Sequence, residues 1–297
     1  MCGIVGLFLK NRSLEPELGA HLAAMLHVMS DRGPDSAGFA VYGAGRPGRL
    51  KLTLRFAPES THDLFAAFKD AFDIDADYVR RGSHAILSVP ASDEAGVRAW
   101  LSQSCPAVGI VGAGARMEIY KEVGAPDDVA EGFGLSRMAG SHGIGHTRMA
   151  TESSVTTDGA HPFSTGADQC LVHNGSLSNH NALRRVLRRE GLAFETENDS
   201  EVAAGYLTWR MRQGASLKGA LTAGLDDLDG FYTFVVGTES GFAVLRDPIA
   251  CKPAVMAETD DYVALGSEYR ALAVLPGIGL ARVFEPEPAK VYAWDHN

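Results

Sequence analysis

The sequence predicts one layered α+β domain, and three observations predict it. Strand-like apolar runs cluster toward the two ends of the chain, and helical patterns lie between and after them. No internal repeat or low-complexity linker divides the 297 residues. Apolar residues make up 45% of the chain, which is enough for a sizeable core. Together these features favour a layered domain over a series of alternating βαβ units.

The first half of the chain combines strong and weak patterns. Residues 3–9 are an apolar run typical of a strand buried on both faces, and residues 15–30 carry apolar positions at helical spacing. A turn-forming cluster at 31–38 follows. Further strands are predicted at 39–42, 49–56, 84–89, 107–112 and 115–122, with helices near 59–72 and 92–103.

The second half begins with a strand that ends within 143–151 and a polar loop that runs to 161–163. The apolar run at 171–175 predicts another strand. Helices are predicted at about 178–190, 199–212 and 216–228. Strands are predicted at 231–237, 242–246, 262–266, 280–284 and 290–294.

Composition excludes several classes of function. The formal charge of −10 argues against a surface for nucleic acid or anionic membrane, and the basic run at 184–189 is interpreted as the polar face of a helix. No apolar run is long enough to span a bilayer. The four cysteines are widely spaced, so the sequence predicts a reducing, cytoplasmic location and no metal site. The glycine run at 108–115 is rejected as a dinucleotide loop because Met117 stands where the third glycine belongs.

Cys2 is the first candidate for chemistry. If Met1 is removed, Cys2 carries a thiol and a free α-amino group, and an N-terminal amine can activate a neighbouring nucleophile. The amine has a pKa of about 7.7–8.0, so a useful fraction is basic near neutral pH. Taken alone, however, Cys2 is better explained as a small buried residue that opens a strand.

Five motifs in order alter that interpretation. They are Met-Cys-Gly-Ile-Val-Gly at 1–6, Arg-Gly-x-Asp-Ser-Ala-Gly at 32–38, Gly-His-Thr-Arg at 145–148, His-Asn-Gly at 173–175 and x-Asp-Ser-Glu-Val at 198–202. In this order they resemble the glutaminase domain of class II glutamine amidotransferases, which are N-terminal-nucleophile hydrolases. The resemblance covers about 1–45 and 141–270, and it implies a four-layer αββα sandwich. The expected organisation is a single domain, 1–297, with an inserted segment at about 45–140.

The resemblance also implies roles that agree with the chemistry of glutamine. Cys2 would attack the side-chain amide carbon, and the Asn174 amide with the Gly175 N–H would stabilise the oxyanion. Arg148 would hold the α-carboxylate as a charge-assisted pair, and Asp199 would accept the α-ammonium. No cofactor is expected.

Three further residues complete the expected site. Thr151 and His161 belong to the substrate-binding set, and Arg32 resembles an arginine that braces the surroundings of the nucleophile. His161 and His146 also admit a purely structural interpretation, because the mechanism needs no imidazole. Arg32 could instead pair with Asp35 in its own loop.

Simpler interpretations exist for other site residues as well. Asn174-Gly175 is a strong hairpin-turn signal. Asp199 is also typical of the first turn of a helix, where Asn198 with Glu201 resembles a capping box.

One loop departs from the family pattern. Many members read Arg-Trp-Ala-Thr-His-Gly where residues 148–153 read Arg-Met-Ala-Thr-Glu-Ser. Met149 would loosen one wall of the pocket, and Glu152 would change the charge of the loop.

The expected activity is hydrolysis of L-glutamine to glutamate and ammonia. The range covered by the resemblance ends near residue 270, about 30 residues before Asn297, so the sequence predicts a separate glutaminase subunit. The arrangement resembles the small subunit of N-methylglutamate synthase and related glutamate-synthase-like complexes. Its partner would be a synthase subunit carrying FMN and iron–sulfur groups. Two alternatives stay open: a catalytically silent subunit that binds glutamine, and an N-terminal-cysteine hydrolase of another amide.

Overall fold

The computed structural model describes residues 2–57, 63–150 and 155–296. Eight α-helices lie within those ranges: α1 Leu18–His27, α2 Leu64–Ala71, α3 Glu94–Ser104, α4 Pro126–Phe133, α5 His180–Arg189, α6 Asp199–Arg212, α7 Leu217–Asp227 and α8 Tyr269–Ala273. The first eight strands of the same ranges are β1 Gly3–Leu9, β2 Ser36–Tyr42, β3 Arg49–Phe56, β4 Asp77–Arg81, β5 His84–Pro90, β6 Val108–Gly114, β7 Met117–Val123 and β8 His142–Arg148. The next eight are β9 Phe163–Gly166, β10 Gln169–Leu177, β11 Gly230–Gly237, β12 Gly241–Arg246, β13 Val255–Glu258, β14 Tyr262–Gly266, β15 Arg282–Phe284 and β16 Val291–Asp295.

Two sheets form the centre of the molecule. A seven-stranded sheet has the order β15-β13-β14-β1-β8-β2-β7, and a five-stranded sheet has the order β16-β12-β11-β10-β9. An apolar core that includes Ile4, Val172 and Val235 fills the space between them. Helices α1, α4 and α8 cover the outer face of the larger sheet, and α5, α6 and α7 cover the smaller one. The expected αββα sandwich is therefore confirmed.

Strand β1 lies inside the larger sheet and pairs with β8 on one side and β14 on the other. All seven of its residues are buried, which agrees with the strand predicted at 3–9. The pairing is antiparallel, so the start of β1 meets the ends of β8 and β14. Cys2 is therefore held beside Arg148 and the loop after Gly266.

A third sheet occupies part of the predicted insert. Strands β4, β5, β3 and β6 pair in that order, and α2 and α3 pack on them around a separate apolar core. Strand β7 and helix α4 also fall within 45–140, but they belong to the larger central sheet and its helical layer.

Several short elements do not appear among the sequence-based expectations: α4, α8, β4, β9 and β13. Each has eight residues or fewer, and this length carries too few repeats to define a period. The helix predicted near 59–72 begins at Leu64, and residues 58–62 lie outside the described ranges. Strands predicted around the glycine run at 107–112 and at 115–122 are present as β6 and β7.

The basic run at 184–189 lies on α5, as predicted, but one of its arginines is not on the polar face. Arg184 is buried and pairs with Glu197. Within the described ranges, none of the helices has the length and apolar character needed to cross a membrane.

Candidate active site

Cys2 is half-buried at the entrance to β1, and its backbone is fixed from two sides. Its carbonyl oxygen accepts hydrogen bonds from Arg32 Nε at 3.1 Å and from Asn174 Nδ2 at 3.3 Å. The thiol Sγ lies 4.0 Å from the carbonyl oxygen of Met149. Residues separated by up to 172 positions thus meet at Cys2. Met1 lies outside the described residues.

Arg32 links Cys2 to the segment after β14. Its guanidinium is almost fully buried and pairs with the Glu268 carboxylate. The hydrogen bond from Arg32 lowers the pKa of Glu268, and Arg270 adds a second ion pair at 2.7 Å. The alternative pairing of Arg32 with Asp35 is not observed, because Asp35 accepts the N–H of Ala150 at 2.7 Å instead.

The Asp31–Asp35 loop packs directly against the end of β8. The N–H of Asp35 donates to the carbonyl of Arg148 at 3.1 Å. A Cβ at Gly33 would overlap the backbone of Thr147 and Arg148, so glycine permits this close approach. Arg148 is 8% exposed at the last position of β8. The loop and the strand therefore hold the arginine next to Cys2.

Asn174 and Gly175 lie within β10 and do not form the hairpin turn that their dipeptide also predicted. They pair with Thr233 and Tyr232 of β11. Gly175 has φ of +154°, and a Cβ there would overlap the carbonyl oxygen of Phe231. Only glycine fits this position without displacing β11.

Asp199 is the first residue of α6, beside the end of β10. Its Oδ2 accepts the N–H of Leu177 at 2.9 Å, and its Oδ1 lies 3.8 Å from His173 Nδ1. Asn198 caps the helix by accepting the N–H of Ser200 at 2.8 Å.

The capping box expected at this helix is incomplete. Glu201 does not reach back to Asn198; its carboxylate accepts the N–H groups of Glu195 and Thr196, both at 2.8 Å. Glu201 therefore fixes the loop before α6 in place of the cap.

A buried histidine cluster connects Asp199 to β8. Ser200 Oγ is hydrogen-bonded to His161 Nε2 and His173 Nδ1, both at 2.9 Å, and donates to Asp199 Oδ1 at 3.3 Å. The two imidazoles therefore each present an N–H to the serine oxygen. His146 stacks on His161 with ring centroids 4.0 Å apart, and its Nε2 donates to the carbonyl of His173 at 3.1 Å.

Burial keeps these three imidazoles neutral. It lowers the pKa of His146 to about 3, that of His161 well below its ordinary value, and that of His173. His161 is 6% exposed, so it lies beneath the surface of the site. Its predicted contact with substrate stays a prediction.

The structure brings together Cys2, Arg32, Arg148, Asn174 and Gly175, and it places Asp199 at the end of the same strand as the last two. Thr151, and Glu152 from the divergent loop, lie outside the described residues.

Sequence reasoning gave no role to Glu268, Ser200 or His173. His173 and Ser200 stand inside the motifs at 173–175 and 198–202, and Glu268 lies near the end of the range covered by the resemblance. Only the fold shows that Glu268 faces Arg32 and that Ser200 joins two histidines.

Comparison with known proteins adds independent findings. Residues 146–274 match the model of the glutamine amidotransferase domain family. The glutamine amidotransferase-like protein GlxB of Rhizobium meliloti is 63% identical over 299 residues, covering 100% of this chain and 99% of that protein. A putative glutamine amidotransferase of Methanothermobacter thermautotrophicus is 32% identical and covers 98% of this chain and 99% of its own length.

A solved structure resembles the fold of the whole chain. Glutamine phosphoribosylpyrophosphate amidotransferase from B. subtilis superimposes with a TM-score of 0.63 at 20% sequence identity, covering 99% of this chain and 47% of that one. At this identity the likeness concerns the fold.

Proposed function

This chain belongs to the class II glutamine amidotransferases, and from that membership we propose that it hydrolyses L-glutamine to glutamate and ammonia at Cys2. The observation that carries the proposal is the double hydrogen bond from Arg32 and Asn174 to the carbonyl of Cys2. Those two bonds fix the backbone of Cys2 beside the Asn174 side chain, and the pairing of β1 with β8 puts it next to the arginine at the end of β8.

In the proposed mechanism the two ends of glutamine are bound first. Arg148 pairs with the α-carboxylate through its planar guanidinium, and Asp199 accepts the α-ammonium. The Leu177 N–H and the Ser200 hydroxyl each donate to one Asp199 oxygen, so the ammonium would use the remaining acceptor capacity of the carboxylate. Burial lowers the pKa of His173 beside Asp199, so this imidazole does not compete with the ammonium as a second positive charge.

The chemical step follows at the side-chain amide. With Met1 removed, the Cys2 amine takes up the thiol proton while Sγ attacks the amide carbon. The Asn174 amide and the Gly175 N–H stabilise the oxyanion, and the amine returns the proton to the departing ammonia. Water then hydrolyses the γ-glutamyl thioester and releases glutamate. We further propose that the ammonia passes to a separate synthase subunit of the glutamate-synthase type, which holds FMN and iron–sulfur groups.

The mechanism is tested by reacting the purified chain with a glutamine-like diazoketone and measuring its intact mass. We expect a mass lower by one methionine and a single adduct on Cys2. Cys2→Ala should lose the adduct and the glutaminase activity, whereas Cys251→Ala, at an exposed cysteine, should retain both. Activity that persists in Cys2→Ala would exclude the mechanism, and retained Met1 without turnover would favour a silent glutamine-binding subunit.

The substrate and partner are tested separately. Glutamine should be hydrolysed in preference to γ-glutamyl peptides, and the reverse preference would favour a hydrolase of another amide. The tagged chain should co-purify from native extract with a subunit that shows flavin and iron–sulfur absorption. A chain that always runs alone at full glutaminase rate would refute the partner.

A further inference from the structure

A cavity of about 500 Å³ lies between the third sheet and the central sandwich, away from Cys2. Helix α3 and strand β6 form one side, and β7, β9, α6 and residues 191–196 form the other. Its volume falls within the range of small-molecule sites. None of the residues proposed for glutamine hydrolysis lines it.

The charged side chains of the lining nearly cancel. They are Glu94, Asp158, Glu195 and Glu201, against Arg98, Lys121 and Arg212. Arg55 lies outside the lining and pairs with Asp158 at 2.5 Å, which brings the sum to zero. A cavity that holds charges of both signs but no net charge favours a ligand that itself carries one positive and one negative group.

The charged residues of the lining fall into two groups according to the electrostatic neighbours of Glu195. Glu195 interacts electrostatically with Glu201, Asp158, Lys121 and Arg55, and these five groups sum to one negative charge. The remaining charged residues of the lining sum to one positive charge: Glu94, Arg98 and Arg212. An ammonium group fits the first set, and a carboxylate fits the second.

Glu195 is the acid best placed to receive an ammonium. Burial and the nearby carboxylates of Glu201 and Asp158 raise its pKa, so a positive partner would stabilise its charged form. Glu201 is different, because Thr196 and the Glu195 N–H already occupy its oxygens.

We propose that this cavity binds a small zwitterionic amino acid, with its ammonium paired to Glu195 and its carboxylate paired to Arg98. Arg98 Nε donates to the Glu94 carboxylate at 2.8 Å, which leaves the two terminal amino groups of the guanidinium to bind a carboxylate. Helix α3, which packs on the third sheet, supplies Arg98, and the loop before α6 of the central sandwich supplies Glu195, so a bound amino acid joins the two.

Lys121 connects this cavity to the glutamine site. It is 5% exposed, and its Nζ donates to the carbonyls of Asp158 at 3.0 Å and Ala160 at 2.9 Å. Gly159 lies between them, and a Cβ placed on it would stand 3.2 Å from Arg148 Nη1. Binding that shifts residues 158–160 therefore alters the position of Arg148. This consequence rests on the proposed function; the binding itself does not.

Binding is tested by titration calorimetry on the full chain. The chain carries Arg148→Met, so that the Cys2 site cannot hold an amino acid. A chain with Asp199→Asn serves as a second background with the same purpose. L-alanine, glycine and L-glutamate serve as ligands, and ethylamine and propionate serve as probes of one charge each. We expect saturable binding of at least one amino acid and none of the single-charge probes at the same concentration. In the same background, Glu195→Gln and Arg98→Gln should each weaken binding about tenfold or more.

The matched control is Glu131→Gln on the exposed face of α4, which should leave the affinity unchanged. Absence of saturable binding by all three amino acids, equal binding of ethylamine or propionate, or unchanged affinity in Glu195→Gln and Arg98→Gln would each overturn the proposal. The readout needs no turnover, so a chain that binds without hydrolysing glutamine would refute the proposed function alone. In the native chain the amino acid should change KM for glutamine rather than kcat.

Discussion

Asp168 fastens the turn that joins the third sheet to the central sandwich, and its removal should destabilise the protein. The side chain is 8% exposed, and its carboxylate accepts the N–H groups of Ala115, Arg116 and Met117 at 2.6, 2.9 and 2.9 Å. A Cβ at Gly114 would overlap the same carboxylate, so no other side chain lies between. Loss of Asp168 leaves three N–H donors without their charged acceptor.

The magnitude follows from those three bonds. A hydrogen bond to a charged group contributes about 1.5–3 kcal/mol, and water can replace part of it at this partly accessible turn. We expect Asp168→Gly to lower the free energy of unfolding by about 3 kcal/mol. Asp168 has φ of +49°, so Asp168→Ala should cost about 1 kcal/mol more because alanine is strained there.

Urea unfolding followed by fluorescence measures the effect. With an m-value of about 3 kcal/mol/M, Asp168→Gly should lower the midpoint by about 1 M. Asp75→Gly is the control, because Asp75 is 85% exposed and pairs only across the surface with Arg49. A midpoint for Asp168→Gly equal to that of the control would refute the reasoning, as would unchanged hydrogen exchange at residues 115–117.

Three further predictions concern the site and the buried charges. Gly175→Ala should reduce the glutaminase kcat at least a hundredfold, because the new Cβ displaces the Phe231 carbonyl and with it the Gly175 N–H proposed as an oxyanion donor. A kcat near that of the wild type would contradict this. Burial lowers the pKa of His146 in the folded state to about 3, below its value in the unfolded state, so the unfolded state binds more protons as the pH falls. The free energy of unfolding should therefore decrease by about 1.4 kcal/mol when the pH is lowered from 7.5 to 5.5. Comparison of His146→Gln with the native chain in urea at both pH values isolates that slope, and equal slopes would show the assignment to be wrong. Burial lowers the pKa of Lys121 to about 8, so the folded state loses this proton at a lower pH than the unfolded state does. The contribution of Lys121 to the free energy of unfolding should therefore rise by about 1.5 kcal/mol from pH 8 to pH 9.5. Lys121→Met should remove this rise, and a rise of the same size in the variant would exclude Lys121 as its source.

The motifs of the chain are enough to identify the family and the fold. The run at 3–9 is recognisable as a strand because burial on both faces requires apolar or small residues at every position. Asn174-Gly175 illustrates the limit of local reasoning. The same two residues predict a hairpin turn when taken alone, and they lie inside a strand because β11 pairs with them, with Thr233 opposite Asn174 and Tyr232 opposite Gly175.

The sequence by itself determined which candidate functional groups the chain carries: a cysteine at position 2, an arginine at the end of a strand and an acid at the start of a helix. Only the tertiary structure decided the partners. Arg32 pairs with Glu268 and not Asp35, because the antiparallel pairing of β1 with β14 brings the segment after Gly266 to the start of β1. Glu201 binds the N–H groups of Glu195 and Thr196 in the loop before α6 instead of completing the cap. The cavity between the third sheet and the sandwich has no sequence signal at all, since its charges come from elements that only packing makes neighbours.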